Sequence, residues 1–273
     1  MIKQIIYRII PRGLRIFIKR MYFSIRNDRT RFGIINIETT TYCNLRCKFC
    51  PNSKYERGLL KNKQLMTDYN FKKIINELSD NNYSGTISLQ LYGEPLSDDR
   101  ICEFVKYART KCPSSRITIN SNGFLLTNSL YKELVEAGVD DLLISQYTPT
   151  IQPNYVSVTK FINDNGLKNI ITYRVLDGSI GSDAIYNRGG EIESPRLPDL
   201  PSCVYPVKVV HVNYKGEVII CCNDYHSSVV LGDTNKENLY DIWKSDRYCN
   251  LRKELDNFDF KYDLCKRCIG EKK

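Results

Sequence analysis

The sequence predicts an α/β chain: a partial (β/α)6-type barrel, a TIM barrel left open, followed by a small C-terminal hairpin-and-helix unit. Three observations predict it. Short apolar strands alternate with amphipathic helical stretches from residue 32 to about 175, the pattern of parallel β/α units. There are too few such units to close an eight-fold barrel. The last 71 residues change character, with six cysteines around a hairpin.

The elements follow in order. Residues 2–25 carry apolar positions at helical spacing (Ile2, Ile5, Ile6, Ile9, then Leu14, Phe17, Ile18, Met21, Ile25), interrupted by Pro11 and Gly13. The opposite faces are basic. Residues 1–31 hold nine Lys or Arg and one acid, leaving 31 basic and 30 acidic residues in 32–273. All but one unit of the formal charge of +9 therefore belongs to this segment, and the near-neutral body gives no sign of nucleic-acid binding. A basic amphipathic helix either packs across the barrel with its charges in water or lies on an anionic membrane surface. Residues 32–176 form the barrel region. Phe32–Thr39 reads as the first strand and Thr67–Leu78 as a capped helix. Then come strand Thr86–Leu91, helix Ile101–Thr110, strand Arg116–Asn120, helix Leu130–Ala137 stopped by Gly138, strand Asp141–Ser145, helix Val156–Asn165 closed by Gly166, and strand Ile170–Val175. Residues 177–202 are a Gly/Ser/Pro/Asp-rich loop containing Asn187-Arg188-Gly189-Gly190. Residues 203–273 form the C-terminal unit. Val207–Asn213 and Glu217–Cys221 read as its hairpin, and Leu239–Ser245, with Trp243, as a packing helix.

The chemistry centres on Cys43-Asn44-Leu45-Arg46-Cys47-Lys48-Phe49-Cys50. Three cysteines in C-x3-C-x2-C spacing lack an obvious fourth ligand nearby. That suggests a [4Fe–4S] cluster with one open iron, although a zinc loop with a distant fourth ligand has similar spacing. There is no signal-peptide pattern and no apolar run of 18 residues, so a reducing cytosol is expected for these thiols, with peripheral membrane contact through residues 1–25 as the alternative.

This cysteine spacing, with Phe49 before the third cysteine, resembles the radical S-adenosylmethionine (radical SAM) superfamily. The resemblance implies that the open iron chelates S-adenosylmethionine, which is cleaved reductively to a 5′-deoxyadenosyl radical that takes a hydrogen atom from substrate. An electron donor such as flavodoxin or ferredoxin is implied as a partner. Tyr92-Gly93-Glu94-Pro95 is similar to the family's Gly-Gly-Glu-Pro motif, with Tyr92 in place of the first glycine, and would hold the cofactor's amino group. Asn120, Ser121 and Asn122 match the ribose-contacting strand end. Ser145 matches a serine that faces the cofactor, and Arg174 would grip the cofactor carboxylate, an anionic substrate or a structural partner. Asn187–Gly190 is a segment shared with relatives.

The Gly216-x4-Cys221 hairpin and Cys265-x2-Cys268 resemble the SPASM or shorter twitch extension of these enzymes. That implies one auxiliary [4Fe–4S] cluster on Cys203, Cys221, Cys265 and Cys268; zinc on the same thiolates is the alternative. Cys222, next to Cys221 on an expected strand, would face away from that cluster. Sulfatase-maturing members hold an acidic proton acceptor in this neighbourhood and radical epimerases a hydrogen-donating thiol, so the resemblance makes Cys222, Asp224 and His226 candidates for proton or hydrogen transfer, His226 and His211 more naturally being structural. Cys102, Cys112 and Cys249 read as ordinary buried thiols.

The expected reaction is two-electron oxidation of a sugar or other small metabolite. Epimerisation with Cys222 as hydrogen donor is the runner-up. A peptide substrate is less expected, since only about 32 residues, too few for a leader-binding domain, precede the first strand. A non-catalytic iron–sulfur or zinc module is the reading from another class.

Overall fold

The computed structural model describes residues 31–176, 187–193, 203 and 205–271. The basic segment expected to be helical over 2–25 and most of the loop 177–202 lie outside the described residues. Among the described residues no helix is long and apolar enough to cross a membrane.

Eight strands form one sheet in the order β5-β4-β3-β2-β1-β6-β7-β8. They are β1 (Ile34–Ile37), β2 (Thr86–Leu89), β3 (Arg116–Ser121), β4 (Asp141–Gln146), β5 (Ile171–Val175), β6 (Val209–Val212), β7 (Glu217–Ile219) and β8 (Val230–Asp233). The first six are parallel, with Ile35 opposite both Ile87 and Val210. β7 and β8 continue the sheet antiparallel. Four helices cover the outer face: α1 (Asp68–Asp80), α2 (Ile101–Lys111), α3 (Asn128–Ala137) and α4 (Pro153–Asp164).

The period-2 alternation sorts the strand residues. Ile35, Ile37, Ile87, Leu89, Ile117, Ile119, Leu142 and Ile144 are fully buried in the apolar core that includes Phe71, Ile74, Phe104 and Leu134 of the helices. The alternate positions, polar on β1, β2 and β3, face the concave side. Helix ends follow their sequence signals. Thr67 and Thr127 accept from the backbone N–H groups of Asn70 and Leu130 at 3.2 and 3.1 Å. Gly138 closes α3 at φ +99°, a conformation open to glycine without steric cost.

The structure places the C-terminal hairpin differently from the expectation. Its first strand, β6, is the sixth parallel strand and pairs with β1, so the hairpin grows out of the barrel sheet. Its second strand ends at Ile219, so Cys221 and Cys222 lie in the turn beyond it and strand alternation does not separate their thiols. A one-turn helix, α5 (Tyr205–Lys208), leads into β6. α6 (Leu239–Lys244), α7 (Asp246–Asp256) and α8 (Asp263–Ile269) complete the unit. Trp243 is fully buried, with the Arg252 guanidinium 4.2 Å over its ring. On α1, Lys73 donates to the Thr234 carbonyl at 2.6 Å, and Glu77 accepts from the Leu239 N–H, at the start of α6, at 2.8 Å. The two parts of the chain are thus tied behind the sheet as well as through it.

Candidate cofactor and active site

The cysteine loop leaves the carboxyl end of β1. Its turns are closed locally: the Cys50 N–H donates to the Cys47 carbonyl at 2.8 Å, and the Leu45 N–H points at the Cys43 sulfur at 3.5 Å. Gly93 explains the register of the neighbouring turn. A Cβ there would lie 1.8 Å from the Thr40 carbonyl oxygen, so only glycine lets this backbone pass against the loop. The following Glu94 N–H donates to the Tyr42 carbonyl at 2.7 Å.

Glu94 is 3 % exposed and accepts from the Leu96 N–H (3.0 Å), the Ser121 hydroxyl (2.7 Å) and the Asn122 N–H (2.9 Å). A carboxylate offers about four lone-pair sites, so one remains for an ammonium group. Burial raises the Glu94 pKa, and the three donors oppose that shift. Asn122 in turn donates to Asn44 at 2.8 Å and approaches the Cys43 sulfur at 3.9 Å. The Gly-Glu-Pro turn, the end of β3 and the cysteine loop are therefore one hydrogen-bonded unit. Pro95 opens the short turn that follows Glu94. Asn120 turns elsewhere, donating to Gln90. On the next strands, the Arg174 Nε donates to the Ser145 hydroxyl at 2.8 Å, and the Tyr147 ring packs 5.4 Å from that of Phe49.

The second thiol group comes from three places. Cys203 precedes α5, Cys221 follows β7, and Cys265 and Cys268 stand one turn apart on α8. Gly270, at φ +82°, ends that helix. The Asn223 amide lies 3.9 Å from the Cys268 sulfur.

Both groups offer thiols alone, a donor set suited to iron–sulfur clusters. Burial first, then the neighbouring thiolates, pushes Cys47 up to about 12; burial alone dominates at Cys43, which rises to about 11. Cys203 and Cys265 rise to about 11 and about 12 for the same two reasons. A bound cationic centre would offset that burial and let these thiols bind as thiolates. Among the described residues no three Cys, His, Asp or Glu side chains stand ready to hold a single metal ion.

Between the groups sits Arg188, which the sequence marks only as part of the Asn187–Gly190 segment and gives no role. It is half-buried beside Tyr92, Cys222, Cys50 and Tyr147; desolvation works against its charge, yet those four groups hold its pKa above the ordinary arginine value. Its backbone is left-handed at φ +51°, and Gly189 and Gly190 follow at +68° and +87°. Neither glycine could carry a Cβ: it would meet Leu264 at 2.4 Å or Arg267 at 2.7 Å, both on α8. The two glycines were the available signal. They let the segment wrap the C-x2-C helix and send the arginine inward.

A second arginine clamps the halves. Arg57 pairs with the fully buried Glu38 side chain and donates to the Tyr225 carbonyl at 2.8 Å. Its guanidinium lies 5.1 to 5.7 Å from the rings of Tyr225, Tyr214 and Tyr92. Tyr225 also donates to Asn52 at 2.9 Å, and the Tyr92 hydroxyl donates to the Cys222 carbonyl. Tyr92, the departure from glycine, is thus a bridge between the two thiol groups.

The remaining candidates separate. Cys222 lies in the interior beside Arg188 and Tyr205, with its pKa raised chiefly by burial, so it holds its hydrogen. Asp224 has a different job from the catalytic one expected. It accepts from the Ser228 N–H and hydroxyl and from the Val229 N–H at 2.8 to 2.9 Å, stapling its own turn. His226 is at the surface, edge-on to Tyr55 and Tyr225. Cys112 is buried, whereas Cys102 and Cys249 are only half-buried.

Known proteins match this arrangement. The profile of the Radical SAM superfamily matches residues 37–171, and that of the SPASM iron–sulfur cluster-binding domain matches residues 203–269. The chain is 28 % identical over 242 residues to the S-adenosyl-L-methionine-dependent 2-deoxy-scyllo-inosamine dehydrogenase of Niallia circulans, covering 87 % of this chain and 92 % of that one. It is 28 % identical over 170 residues to the tungsten-containing aldehyde ferredoxin oxidoreductase cofactor-modifying protein of Pyrococcus furiosus, covering 59 % of this chain and 46 % of that one. Among solved structures, BtrN in complex with AdoMet and 2-DOIA superposes with a TM-score of 0.75 at 28 % identity, over 86 % of this chain and 92 % of that one. The strand ends, the two thiol groups and these matches agree: the chain belongs to the radical SAM superfamily and carries its SPASM iron–sulfur extension.

Proposed function

We propose that this enzyme is a dehydrogenase that oxidises a secondary alcohol of a polyhydroxylated small molecule, a sugar or aminocyclitol, to the ketone. The observation that carries the reading is Arg188, a half-buried cation beside Cys50 of the first thiol group and Cys222 next to the second. It is supported by the full-length likeness to a 2-deoxy-scyllo-inosamine dehydrogenase. The proposed ligands are Cys43, Cys47 and Cys50 for the cluster that engages S-adenosylmethionine and Cys203, Cys221, Cys265 and Cys268 for the auxiliary cluster. When bound, the first cluster and S-adenosylmethionine supply the radical that removes hydrogen, and the second accepts an electron.

The chain's own residues do the rest. Glu94 takes the cofactor's ammonium at its remaining lone-pair site, with Ser121 and Asn122 fixing the carboxylate. Arg174, held by Ser145, faces the cofactor carboxylate. Arg188 favours loss of the hydroxyl proton, because a fixed cation stabilises the oxyanion left behind. Arg57, Tyr225 and Tyr92 hold the two halves at a fixed separation. The electron donor is a small flavodoxin- or ferredoxin-type protein.

The test is anaerobic reconstitution with 2-deoxy-scyllo-inosamine, S-adenosylmethionine and dithionite. About eight irons, 5′-deoxyadenosine and an equal amount of ketone are expected. Deoxyadenosine formed without ketone, with deuterium from solvent fixed at carbon, would instead identify an epimerase. Cys222 is the observation behind that second reading, since its buried thiol lies in the same interior.

A further inference from the structure

The concave face of the sheet carries a continuous hydrogen-bonded row that the reaction above does not use. It crosses four adjacent strands. The Asn120 amide on β3 donates to the Gln90 oxygen just past β2. The Gln90 amide donates to the Asn36 oxygen on β1 at 3.3 Å, and the Asn36 amide donates to His211 Nδ1 on β6 at 3.1 Å. Asn36 and His211 are register partners, so the row is fixed by strand pairing. Its end is incomplete. His211 is fully buried, and its Nε2 has no hydrogen-bond partner among the described residues.

The protonation follows from the geometry. Because Nδ1 accepts, the neutral ring carries its hydrogen on Nε2. Burial lowers the His211 pKa to about 3, so the ring stays neutral at working pH. A buried donor left unmade costs about 1–3 kcal/mol, and such groups are retained where something completes them. The Tyr205 ring lies 6.2 Å from that of His211, and the Tyr205 hydroxyl reaches Cys222. The row therefore runs from Gln90 and Asn120 across the middle strands toward Tyr205 and Cys222. Gln90 and Asn120, at its other end, are half-buried.

We propose that Gln90 and Asn120, held in place by the buried Asn36 and His211, form the subsite that reads the hydroxyls of the substrate ring. The row contains amides and one neutral imidazole and no charge, so it fits a neutral polyol edge, whose hydroxyls both donate and accept. An apolar or anionic ligand would leave these groups unsatisfied or poorly paired. Asn120, expected at the nucleoside, belongs to this row. The proposal rests on the polyol-dehydrogenase reading and adds the residues that select the polyol.

The test measures binding without turnover. Reconstituted protein with S-adenosylmethionine and no reductant is dialysed to equilibrium against labelled 2-deoxy-scyllo-inosamine and against a panel of inositols and hexoses. Gln90→Leu and Asn120→Leu should each weaken binding of the preferred polyol about tenfold, the effect of one lost hydrogen bond. His211→Phe should do the same, while His211→Gln, which keeps a donor, stays within about twofold. Iron and sulfide contents equal to wild type certify the fold; if His211→Phe loses iron, the two amide variants decide. Binding unchanged in both amide variants overturns this inference and leaves the dehydrogenase reading intact. No polyol bound by the wild-type protein with both clusters loaded overturns that reading and this inference together.

Discussion

The two thiol groups are built in opposite ways. The first is written in eight consecutive residues, and its geometry is a matter of local turns braced by Gly93 and Asn122. The second is gathered from a pre-helical residue, the end of a strand and one turn of a terminal helix, spread from Cys203 to Cys268. The first offers three thiols and the second four, which on the proposed assignment leaves one iron of the first cluster without a protein ligand. Openness thus goes with a compact loop and full ligation with a dispersed set. A loop can present three side chains and still leave one side clear for a cofactor. Four side chains arriving from different directions enclose what they bind.

The sharpest way to break the comparison is to remove one ligand from each group. Cys43→Ala should reduce 5′-deoxyadenosine formation to background and leave about four irons. Cys265→Ala should also leave about four irons yet still release deoxyadenosine, with the ketone lost. Iron analysis and product chromatography check both, and identical product losses in the two variants would deny the division of labour.

The clamp between the halves comes next. Arg57→Ala strips the partner from the fully buried Glu38, whose pKa is already raised by burial against the pull of Arg57. Removing one member of a buried pair costs about 3–5 kcal/mol. Anaerobic urea titration should show a loss of that order. Arg57→Lys should recover only part of it, because a lysine does not reproduce the planar contact with three tyrosines.

A pH-dependent effect separates the barrel's polar lining from either cluster. His211 has a folded pKa of about 3, below its ordinary value. Between that value and about 6.5 the unfolded chain binds more protons. Stability is therefore fully present above about pH 6.5 and declines as pH falls toward 3, by up to about 5 kcal/mol. His211→Gln should flatten that acid limb of a melting-temperature profile, and an unchanged slope would place the titration elsewhere. At the bottom of the scale, Cys102→Ser, at a half-buried thiol on α2 outside both groups, should shift stability by less than about 0.5 kcal/mol and leave iron content unchanged.

Much of the fold was legible because its signals are local. Thr67, Thr127, Gly138 and the period-2 runs of β1 to β4 depend on neighbours within a few residues, and each element formed where its pattern stood. The Gly-Glu-Pro turn and the Ser121–Asn122 strand end were legible for the same reason, sitting at strand ends that parallel sheets gather on one side. The misreadings are nonlocal. Glu217–Cys221 reads as one strand, yet pairing stops at Ile219, and the turn after it brings Cys222 back to the interior. Asp224 looks like a free acid until Ser228 and Val229 fold onto it. β8 and the last two helices carry weak periodic signals and were found only in the folded chain.

By itself the sequence determined the strand–helix order and the compact three-cysteine loop, and marked the cysteines proposed for the second group, because spacing along the chain controls what short turns and helices can present. Only the tertiary structure decided that β6 pairs with β1, which joins the hairpin to the barrel sheet and sets His211 against Asn36. It alone decided that Arg188 enters the space between the thiol groups, since its neighbours Tyr92, Cys50 and Cys222 lie far away in sequence. Long-range pairing and burial are properties of register and packing, and no run of adjacent residues encodes them.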